Sequence, residues 1–342
     1  MIYGHGDDLY KYEGLVKANF SSNIYQSADL SLLKAHLASR LDLIGNYPEP
    51  APQSLERAIA AEQGINDSEV TVTNGATEAI YTIAENNVRQ YGTDGFTNII
   101  SRPTFSEYAD ACRAYGSGIA CDSRHATGHR VHWLCNPNNP TGSVIPAKQL
   151  LDTADAHPGD LFIIDQSYEH YTLEPAIADR EAVCRHNIIL LHSMTKRFCV
   201  PGLRLGYAVA NRETTARLKR LRRPWSVNSL AIEAGLFLIG NNINLMPDTG
   251  AYLAEAQRLR QGLLSVSGVS VAPTHTNFML ACIKGHTAAS LKEYLVTRHG
   301  LLIRDASNFE GLSPSHFRVA AQGRQADDML VEAIREFAAS AV

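Results

Sequence analysis

The sequence of 342 residues lacks several features that would point to particular classes of protein. No apolar run approaches the ~18–20 residues that span a bilayer, so we expect no membrane partner. Positive charge is not in excess, because 31 Lys and Arg residues stand against 35 Asp and Glu residues, a formal net charge of −4. Excess positive charge supplies most of the affinity of general nucleic-acid binders, so no nucleic-acid partner is expected either.

The cysteine pattern excludes two kinds of structural cross-link. The six cysteines are scattered and never form a C-x-x-C pair, so neither a disulfide framework nor a structural zinc site is indicated. The N-terminal residues are polar and lack the basic and then apolar layout of a secretory signal peptide. We therefore expect a cytoplasmic protein with reduced thiols and no metal ion.

Two further patterns have a simple interpretation. His125 and His129 have the i,i+4 spacing of a helical zinc site, with His132 nearby, but Thr127-Gly128 argues against a helix. We expect a solvent-exposed loop there. The basic run at 217–223 carries leucines at helical spacing, which favours an amphipathic helix with a solvated face over a nucleic-acid site.

What the sequence does contain is an alternation of short apolar runs and amphipathic stretches. Several runs are apolar throughout, as expected for a mainly parallel sheet covered on both faces. The strand candidates are 70–73, 98–101, 131–135, 161–165, 188–192 and 205–210. Residues 78–91 have the spacing of an amphipathic helix.

The pattern changes after about residue 231. A long helical region is followed by short strand candidates and a closing helix. These strand candidates are 269–272, 277–282, 301–304 and 317–320. The sequence thus predicts an α/β protein with a large three-layer α/β/α domain at 40–230 and a smaller α+β domain formed by 1–39 and 231–342.

One lysine occupies an unusual position. Lys196 follows the strand candidate 188–192 and precedes another buried strand. Burial lowers the pKa of an amine, as a Schiff-base lysine requires. A lone lysine is more often a surface residue, so this interpretation depends on the neighbouring segments.

Polar residues follow other strand candidates, at the sheet edge where open α/β folds bind ligands. Asn139 lies in a turn enclosed by prolines, and Asp165 and Tyr168 follow the strand 161–165. Asp165 is either a helix N-cap or a buried carboxylate that could hold a pyridine nitrogen protonated. Residues 74–78 form either an ordinary turn or a helix N-terminus that suits a phosphate.

Taken together and in their order along the chain, the four segments around residues 74–78, 139, 165–168 and 196 resemble the fold-type-I, aspartate-aminotransferase-like family of pyridoxal-phosphate enzymes. The resemblance covers about residues 21–337. The resemblance implies that Lys196 binds the cofactor covalently, Asp165 pairs with the ring nitrogen, and Tyr168 donates to the phenolic oxygen. It also implies a second donor to that oxygen, a stacking aromatic ring and a phosphate cup. These residues are Asn139, Phe105, Gly75, Ala76, Thr77, Ser193 and Arg204.

Finer motifs resemble the branch that contains histidinol-phosphate aminotransferase and threonine-phosphate decarboxylase. They include Asn19-Phe-Ser-Ser-Asn23 and residues 224–228, and His5-Gly6 favours the decarboxylase. The resemblance implies that Arg318 binds the substrate carboxylate and that His5, Asn23 and Arg304 lie at a second anion. Asp7-Asp8 depart from the decarboxylase pattern, and two carboxylates there would oppose phosphate binding unless they point away.

The implied activity is decarboxylation of L-threonine O-3-phosphate to (R)-1-amino-2-propanol O-phosphate in cobalamin biosynthesis, with pyridoxal 5'-phosphate as cofactor. A transaminase such as histidinol-phosphate aminotransferase is the alternative enzyme. A third possibility is an aminotransferase-like binding or regulatory protein, against which the joint retention of Lys196, Asp165, Tyr168 and Arg204 argues.

Tyr47 bears on the oligomeric state. Pro48 biases Tyr47 toward an extended backbone. The local sequence alone favours a loop tyrosine that packs against its own subunit. The resemblance implies instead that Tyr47 reaches the cofactor phosphate of a second copy. We therefore expect a homodimer with shared active sites.

Overall fold

The structure is a computed structural model, and it describes residues 8–12 and 14–339. The strands are β1 Ala18–Asn19, β2 Val70–Thr73, β3 Phe96–Ile100, β4 Gly118–Ala120, β5 His129–Cys135, β6 Leu161–Asp165, β7 Ile188–His192, β8 Gly206–Ala210, β9 Val269–Val271, β10 Phe278–Ile283, β11 Leu301–Leu302, β12 Arg304–Asp305 and β13 His316–Ala320. The α-helices are α1 Ser31–Ser39, α2 Gln53–Gln63, α3 Gly75–Tyr91, α4 Glu107–Ala114, α5 Ala147–Ala156, α6 Asp179–Val183, α7 Met194–Arg197, α8 Arg212–Leu221, α9 Ser229–Gly240, α10 Thr249–Leu264, α11 Ala288–Tyr294 and α12 Arg324–Ala339.

A seven-stranded sheet with the order β2-β8-β7-β6-β5-β3-β4 forms the centre of the molecule. Neighbouring strands from β7 to β4 are parallel, whereas β8 runs antiparallel to both β2 and β7. The predicted α/β class with a mainly parallel sheet is confirmed. Because the parallel strands share one direction, their carboxyl ends meet at a single edge.

Both faces of this sheet are covered, which explains why its central strands are apolar throughout. On one face, Phe162 and Ile164 of β6 join a cluster with α2, α5 and α9. On the other face, Ile163 joins a cluster with α3 and α4. Side chains alternate between faces along a strand, so a two-sided core requires an apolar residue at every position.

The C-terminal part of the chain forms a second, smaller sheet. Four strands form an antiparallel sheet in the order β12-β13-β10-β9, and β1 pairs in parallel with β11. Helices α10 and α12 cover the sheet around a core that includes Leu259, Phe278, Phe317 and Ile334. The predicted small α+β unit is therefore present, and β1 of the N-terminal segment pairs with its strand β11.

Several element boundaries differ from the sequence prediction. Helix α3 begins at Gly75 rather than at residue 78, and the candidate 301–304 is interrupted between β11 and β12. Helices α1 and α9 contribute Leu33 and Ile232 to the large-sheet core. We propose from this packing that both helices belong with the large domain; the division at residues 40 and 230 stays a prediction.

The histidine and basic patterns are also partly corrected. His129 and His132 lie in β5 rather than in an exposed loop, and His132 bonds Asp160 at 3.0 Å. Among the described residues, no group of His, Cys, Asp or Glu side chains is placed to hold a metal ion.

No helix in residues 8–12 and 14–339 has the length and apolar character needed to cross a membrane. The run at 217–223 forms the end of α8 and the residues after it.

Candidate active site

A cavity of about 300 Å³ lies at the carboxyl edge of the parallel strands, between the large sheet and the antiparallel sheet. Residues that follow β5, β6 and β7 line it, together with the start of α3, the N-terminal segment and β13. Eleven residues predicted for the site line this cavity: Asn23, Ala76, Thr77, Phe105, Asn139, Asp165, Tyr168, Ser193, Lys196, Arg204 and Arg318. The shared edge explains this convergence, because segments distant in sequence all end their strands there.

Asp165 ends β6 as a buried carboxylate, with 4% of its surface exposed. Its Oδ1 accepts a hydrogen bond from the Ser167 backbone N–H at 2.9 Å, and its Oδ2 accepts one from the Tyr108 hydroxyl at 2.7 Å. Burial, together with the charge of Asp165, raises the pKa of Tyr108 well above its usual value, so the tyrosine remains a donor. One donor to each oxygen leaves lone pairs for a third, cationic partner.

Tyr108 is a site residue that the sequence prediction did not name. Its ring stacks on Trp133 at 5.6 Å, and the Trp133 indole N–H donates to Asn98 at 2.9 Å. Asn98 in turn donates to Ser117 Oγ and to the Gly118 carbonyl. The chain of contacts runs from the sheet edge to the carboxylate and holds Tyr108 in one orientation. Its only sequence signal is a position three residues after Phe105.

Tyr168 lies beside the lysine predicted to bind the cofactor. The Lys196 Nζ is 5.7 Å from the centre of the Tyr168 ring. Burial raises the pKa of Tyr168 to about 12, and the Asn23 side-chain amide donates to its hydroxyl at 3.3 Å. Tyr171 donates to the Lys196 carbonyl at 3.0 Å, which anchors the backbone that carries the lysine.

Two arginines lie on adjacent strands of the antiparallel sheet. Arg304 of β12 and Arg318 of β13 are Cα partners, with 7% and 5% of their surfaces exposed. Directly opposed residues of an antiparallel pair project from the same face, so both side chains leave the sheet on one side. Arg318 donates to Asn139 Oδ1 at 2.5 Å and to the Ser21 carbonyl at 2.6 Å. Arg304 donates to Asn308 at 2.8 Å.

A close packing of three segments forms the end of the cavity predicted to take a phosphate. Helix α3 begins there at Gly75, whose φ of +79° favours glycine. A Cβ at Gly75 would lie 2.8 Å from the Arg204 guanidinium, and a Cβ at Gly206 would lie 2.5 Å from the Ala76 nitrogen. The helix N-terminus, the guanidinium and the two glycines thus bring backbone N–H groups and a cation together.

These residues fit pyridoxal phosphate. The buried Asp165 carboxylate suits a protonated ring nitrogen, the Tyr168 hydroxyl and the Asn139 amide could donate to a phenolic oxygen, and Phe105 offers an aromatic face. The Lys196 amine lies in the same cavity. Each polar group of the cofactor therefore has a chemically matched side chain among the cavity residues.

Three predicted site residues, Gly75, Arg304 and Tyr47, do not line the cavity in the part of the chain that the structure describes. Gly75 directly precedes the lining residue Ala76, Arg304 is the Cα partner of the lining residue Arg318, and the predicted His5 lies outside the described residues. Tyr47 is 86% exposed and packs against Trp225 with ring centres 5.3 Å apart.

Of the two carboxylates that depart from the decarboxylase pattern, Asp8 lies within the described residues, and its partners are defined. The Asp8 carboxylate accepts from Lys292 Nζ at 2.6 and 2.8 Å. Burial raises the pKa of Asp8, but the bonds from Lys292 and Lys11 outweigh it, and the net result is a lowered pKa. Asp8 is therefore an ion-paired carboxylate, and its charge is partly neutralised.

Comparison with known proteins identifies the family. The family model for aminotransferase class I and II matches residues 16–334. The chain is 30% identical over 308 residues to histidinol-phosphate aminotransferase of Caldanaerobacter subterraneus subsp. tengcongensis, covering 85% of this chain and 84% of the relative. It is 30% identical over 341 residues to threonine-phosphate decarboxylase of Salmonella typhimurium, covering 93% and 90%. The crystal structure of L-threonine-O-3-phosphate decarboxylase from Porphyromonas gingivalis matches with a TM-score of 0.88 and 33% identity, over 94% of this chain and 99% of that one. The chain therefore belongs to the aminotransferase class I and II family, and its cofactor is pyridoxal phosphate.

Proposed function

We propose that this chain decarboxylates L-threonine O-3-phosphate to (R)-1-amino-2-propanol O-phosphate, a step of cobalamin biosynthesis. The pair of buried arginines, Arg304 and Arg318, carries the proposal. A substrate with a carboxylate at one end and a phosphate at the other supplies one anion to each guanidinium, and both groups match its planar set of donors. Similarity to the Salmonella decarboxylase over 93% of this chain supports the same assignment.

The reaction breaks the bond between Cα and the carboxyl carbon, releases carbon dioxide and places a proton on Cα. Pyridoxal phosphate, when bound, accepts the electron pair left at Cα. In the proposed roles, the Lys196 side-chain amine would hold the cofactor. Asp165 holds a proton on the ring nitrogen by charge pairing, and Tyr108 and Ser167 orient the carboxylate.

Substrate orientation decides which bond at Cα breaks. Decarboxylation requires the bond to the carboxyl carbon to stand perpendicular to the cofactor ring, whereas transamination requires the C–H bond to stand there. Arg318 is held by Asn139 and Ser21, so its guanidinium is an immobile anchor for one anion. Arg304, with Asn23 and His5, is proposed to hold the other.

The alternative is a transaminase, since the chain is equally identical to histidinol-phosphate aminotransferase of Caldanaerobacter. One experiment separates the two reactions. The purified, cofactor-loaded protein is incubated with L-threonine phosphate, and separately with histidinol phosphate plus 2-oxoglutarate. Carbon dioxide and aminopropanol phosphate in the first reaction support the proposal. Glutamate in the second, without carbon dioxide in the first, would replace it by transamination.

We also propose that the active protein is a cytoplasmic homodimer. Apolar side chains near Tyr47 are exposed, among them Ile44 at 72% and Trp225 at 49%. Apolar surface of this kind is commonly covered in an interface, and an obligate dimer buries above ~2,000 Å² in total. Tyr47 would then reach the cofactor phosphate of the partner. Sedimentation at micromolar concentration tests the dimer, and a fully active monomer would contradict it.

A further inference from the structure

We infer that a basic cleft on the large domain is a second anion-binding site, one that takes a small phosphate or polyphosphate compound. The cleft encloses about 660 Å³ between α2 and α8. Its charged lining residues are Arg57, Arg212, Lys219, Arg222, Glu56 and Asp67. In the described part of the chain it shares no lining residue with the cavity around Lys196.

Two of the four cations are held in place by a buried carboxylate. Glu56 is 2% exposed, and its Oε2 accepts from Lys219 Nζ at 2.8 Å. Its Oε1 accepts from the Arg222 guanidinium and from the Val72 backbone N–H at 3.2 Å. Lys219 also donates to the Asp67 carbonyl at 2.9 Å. The cations at the floor of the cleft are therefore already positioned, which lowers the entropy cost of binding an anion.

The Arg222 side chain has unused donor capacity. It is 8% exposed, and its Nε has no hydrogen-bond partner among the described residues. A buried donor without a partner is costly, and protein structures commonly satisfy such a group with water or a ligand. An anion in the cleft would offer it an acceptor.

The other two cations have no ion pair. Arg57 and Arg212 are exposed, and neither makes a hydrogen bond or an ion pair within residues 8–12 and 14–339. Arg217, on the same helix as Arg212, contrasts with them because it pairs with Glu213 at 2.8 Å. In a chain whose net charge is −4, four cations with two carboxylates form a local concentration of positive charge.

The shape and charge of the cleft indicate the class of ligand. Its volume lies in the ~300–1,000 Å³ range of small-molecule sites. Guanidinium groups match phosphate oxygens in pairs, so arginines contributed by two helices suit a compound with more than one phosphate charge. The shared chemistry is a phosphate group, supplied either by an inorganic anion or by a phosphate ester.

Calorimetric titration of the cofactor-loaded full chain with inorganic pyrophosphate at constant ionic strength tests the site. Ribose 5-phosphate in a parallel titration represents a phosphate ester. The double variant Arg57→Gln/Arg212→Gln removes only exposed, unpaired side chains and should weaken binding about tenfold or more. The matched control Arg180→Gln/Arg220→Gln changes two exposed arginines outside the cleft and should bind as the parent does.

Saturable binding of either probe that is lost in the first variant and retained in the second supports the site, and the stronger probe identifies the source of the phosphate. Binding that is equal in the parent and the cleft variant places the anion elsewhere and overturns the inference. Absence of saturable binding at millimolar concentration of both probes overturns it as well. Neither readout depends on decarboxylation, so failure here is distinguishable from failure of the proposed reaction.

Discussion

Removal of the Tyr108 hydroxyl tests how the buried carboxylate of the active site is held. In the variant Tyr108→Phe, the ring can keep its place against Trp133, while Asp165 Oδ2 loses a donor that lies 2.7 Å away. A hydrogen bond to a charged group contributes ~1.5–3 kcal/mol. Both partners are buried, so water does not readily replace the missing donor. We therefore expect the free energy of unfolding of the apoenzyme to fall by about that amount.

The cofactor-loaded enzyme should lose less stability. When pyridoxal phosphate is bound, its protonated ring nitrogen supplies Asp165 with another donor, which offsets part of the cost. Urea unfolding at pH 7.5, followed by circular dichroism with and without the cofactor, measures both values. The difference between the two losses is the informative quantity, because a general packing defect would lower the stability of both forms equally.

A tyrosine elsewhere in the same domain provides the control. The Tyr115 hydroxyl donates to Glu85 at 3.2 Å in a partly exposed position. Tyr115→Phe should cost less than ~1 kcal/mol, because the Glu85 carboxylate keeps its hydrogen bonds from Arg89 at 2.8 Å and from Arg223 at 3.1 Å. Should Tyr108→Phe cost no more than Tyr115→Phe in the apoenzyme, Tyr108 would not be supporting Asp165 as described.

Four further outcomes are expected. Lys196→Ala should abolish the visible absorbance of the lysine-bound cofactor and nearly all turnover, as measured by absorbance and by carbon dioxide release; full activity would refute the role of Lys196. Asp165→Asn should retain the fold by circular dichroism but lower kcat more than tenfold, a barrier increase above ~1.4 kcal/mol, because an amide does not favour the protonated ring. Mixing Lys196→Ala chains with Tyr47→Ala chains should restore some activity, since a heterodimer holds one intact site; proven heterodimers without recovery would remove Tyr47 from the site. Burial raises the pKa of the Asp327 carboxyl to about 7, above the ~3.9 expected in the unfolded chain. Between these two pH values the folded protein binds a proton that the unfolded chain has lost, so the free energy of unfolding falls as the pH rises from ~3.9 to about 7. Asp327→Asn should reduce that fall in urea unfolding between pH 4 and pH 8, and an unchanged slope would contradict it.

The centre of the large sheet could be predicted from the sequence because burial on both faces leaves an uninterrupted apolar run. The strands Leu161–Asp165 and Ile188–His192 begin and end as expected. At the sheet edge this signal weakens. Strand Gly118–Ala120 is partly exposed and three residues long, so no apolar run marks it. The antiparallel direction of β8 was not apparent either, because a buried strand has the same apolar pattern in both directions.

The candidate site could be predicted where its residues follow strands. Asn139, Asp165 and Lys196 come after buried strands, and parallel topology brings such positions to one edge. Tyr108 could not be recognised, because a buried aromatic residue of a helix is indistinguishable from core packing until its hydroxyl partner is known. The opposition of Arg304 and Arg318 depends on the register of β12 and β13, which two short segments do not determine.

The order in which the chain is synthesised also matters for this architecture. Strand β1 can pair only after Leu301–Leu302 has been synthesised. The Arg318 side chain donates to Ser21, which is 297 residues earlier in the chain, and to Asn139, which is 179 residues earlier. Contacts of such long range carry a large entropy of loop closure and form late in folding. A nascent chain on the ribosome therefore has no complete cofactor cavity until almost its whole length has emerged. Fragments that end before β13 should fail to assemble the pocket, even where the seven-stranded sheet has already formed.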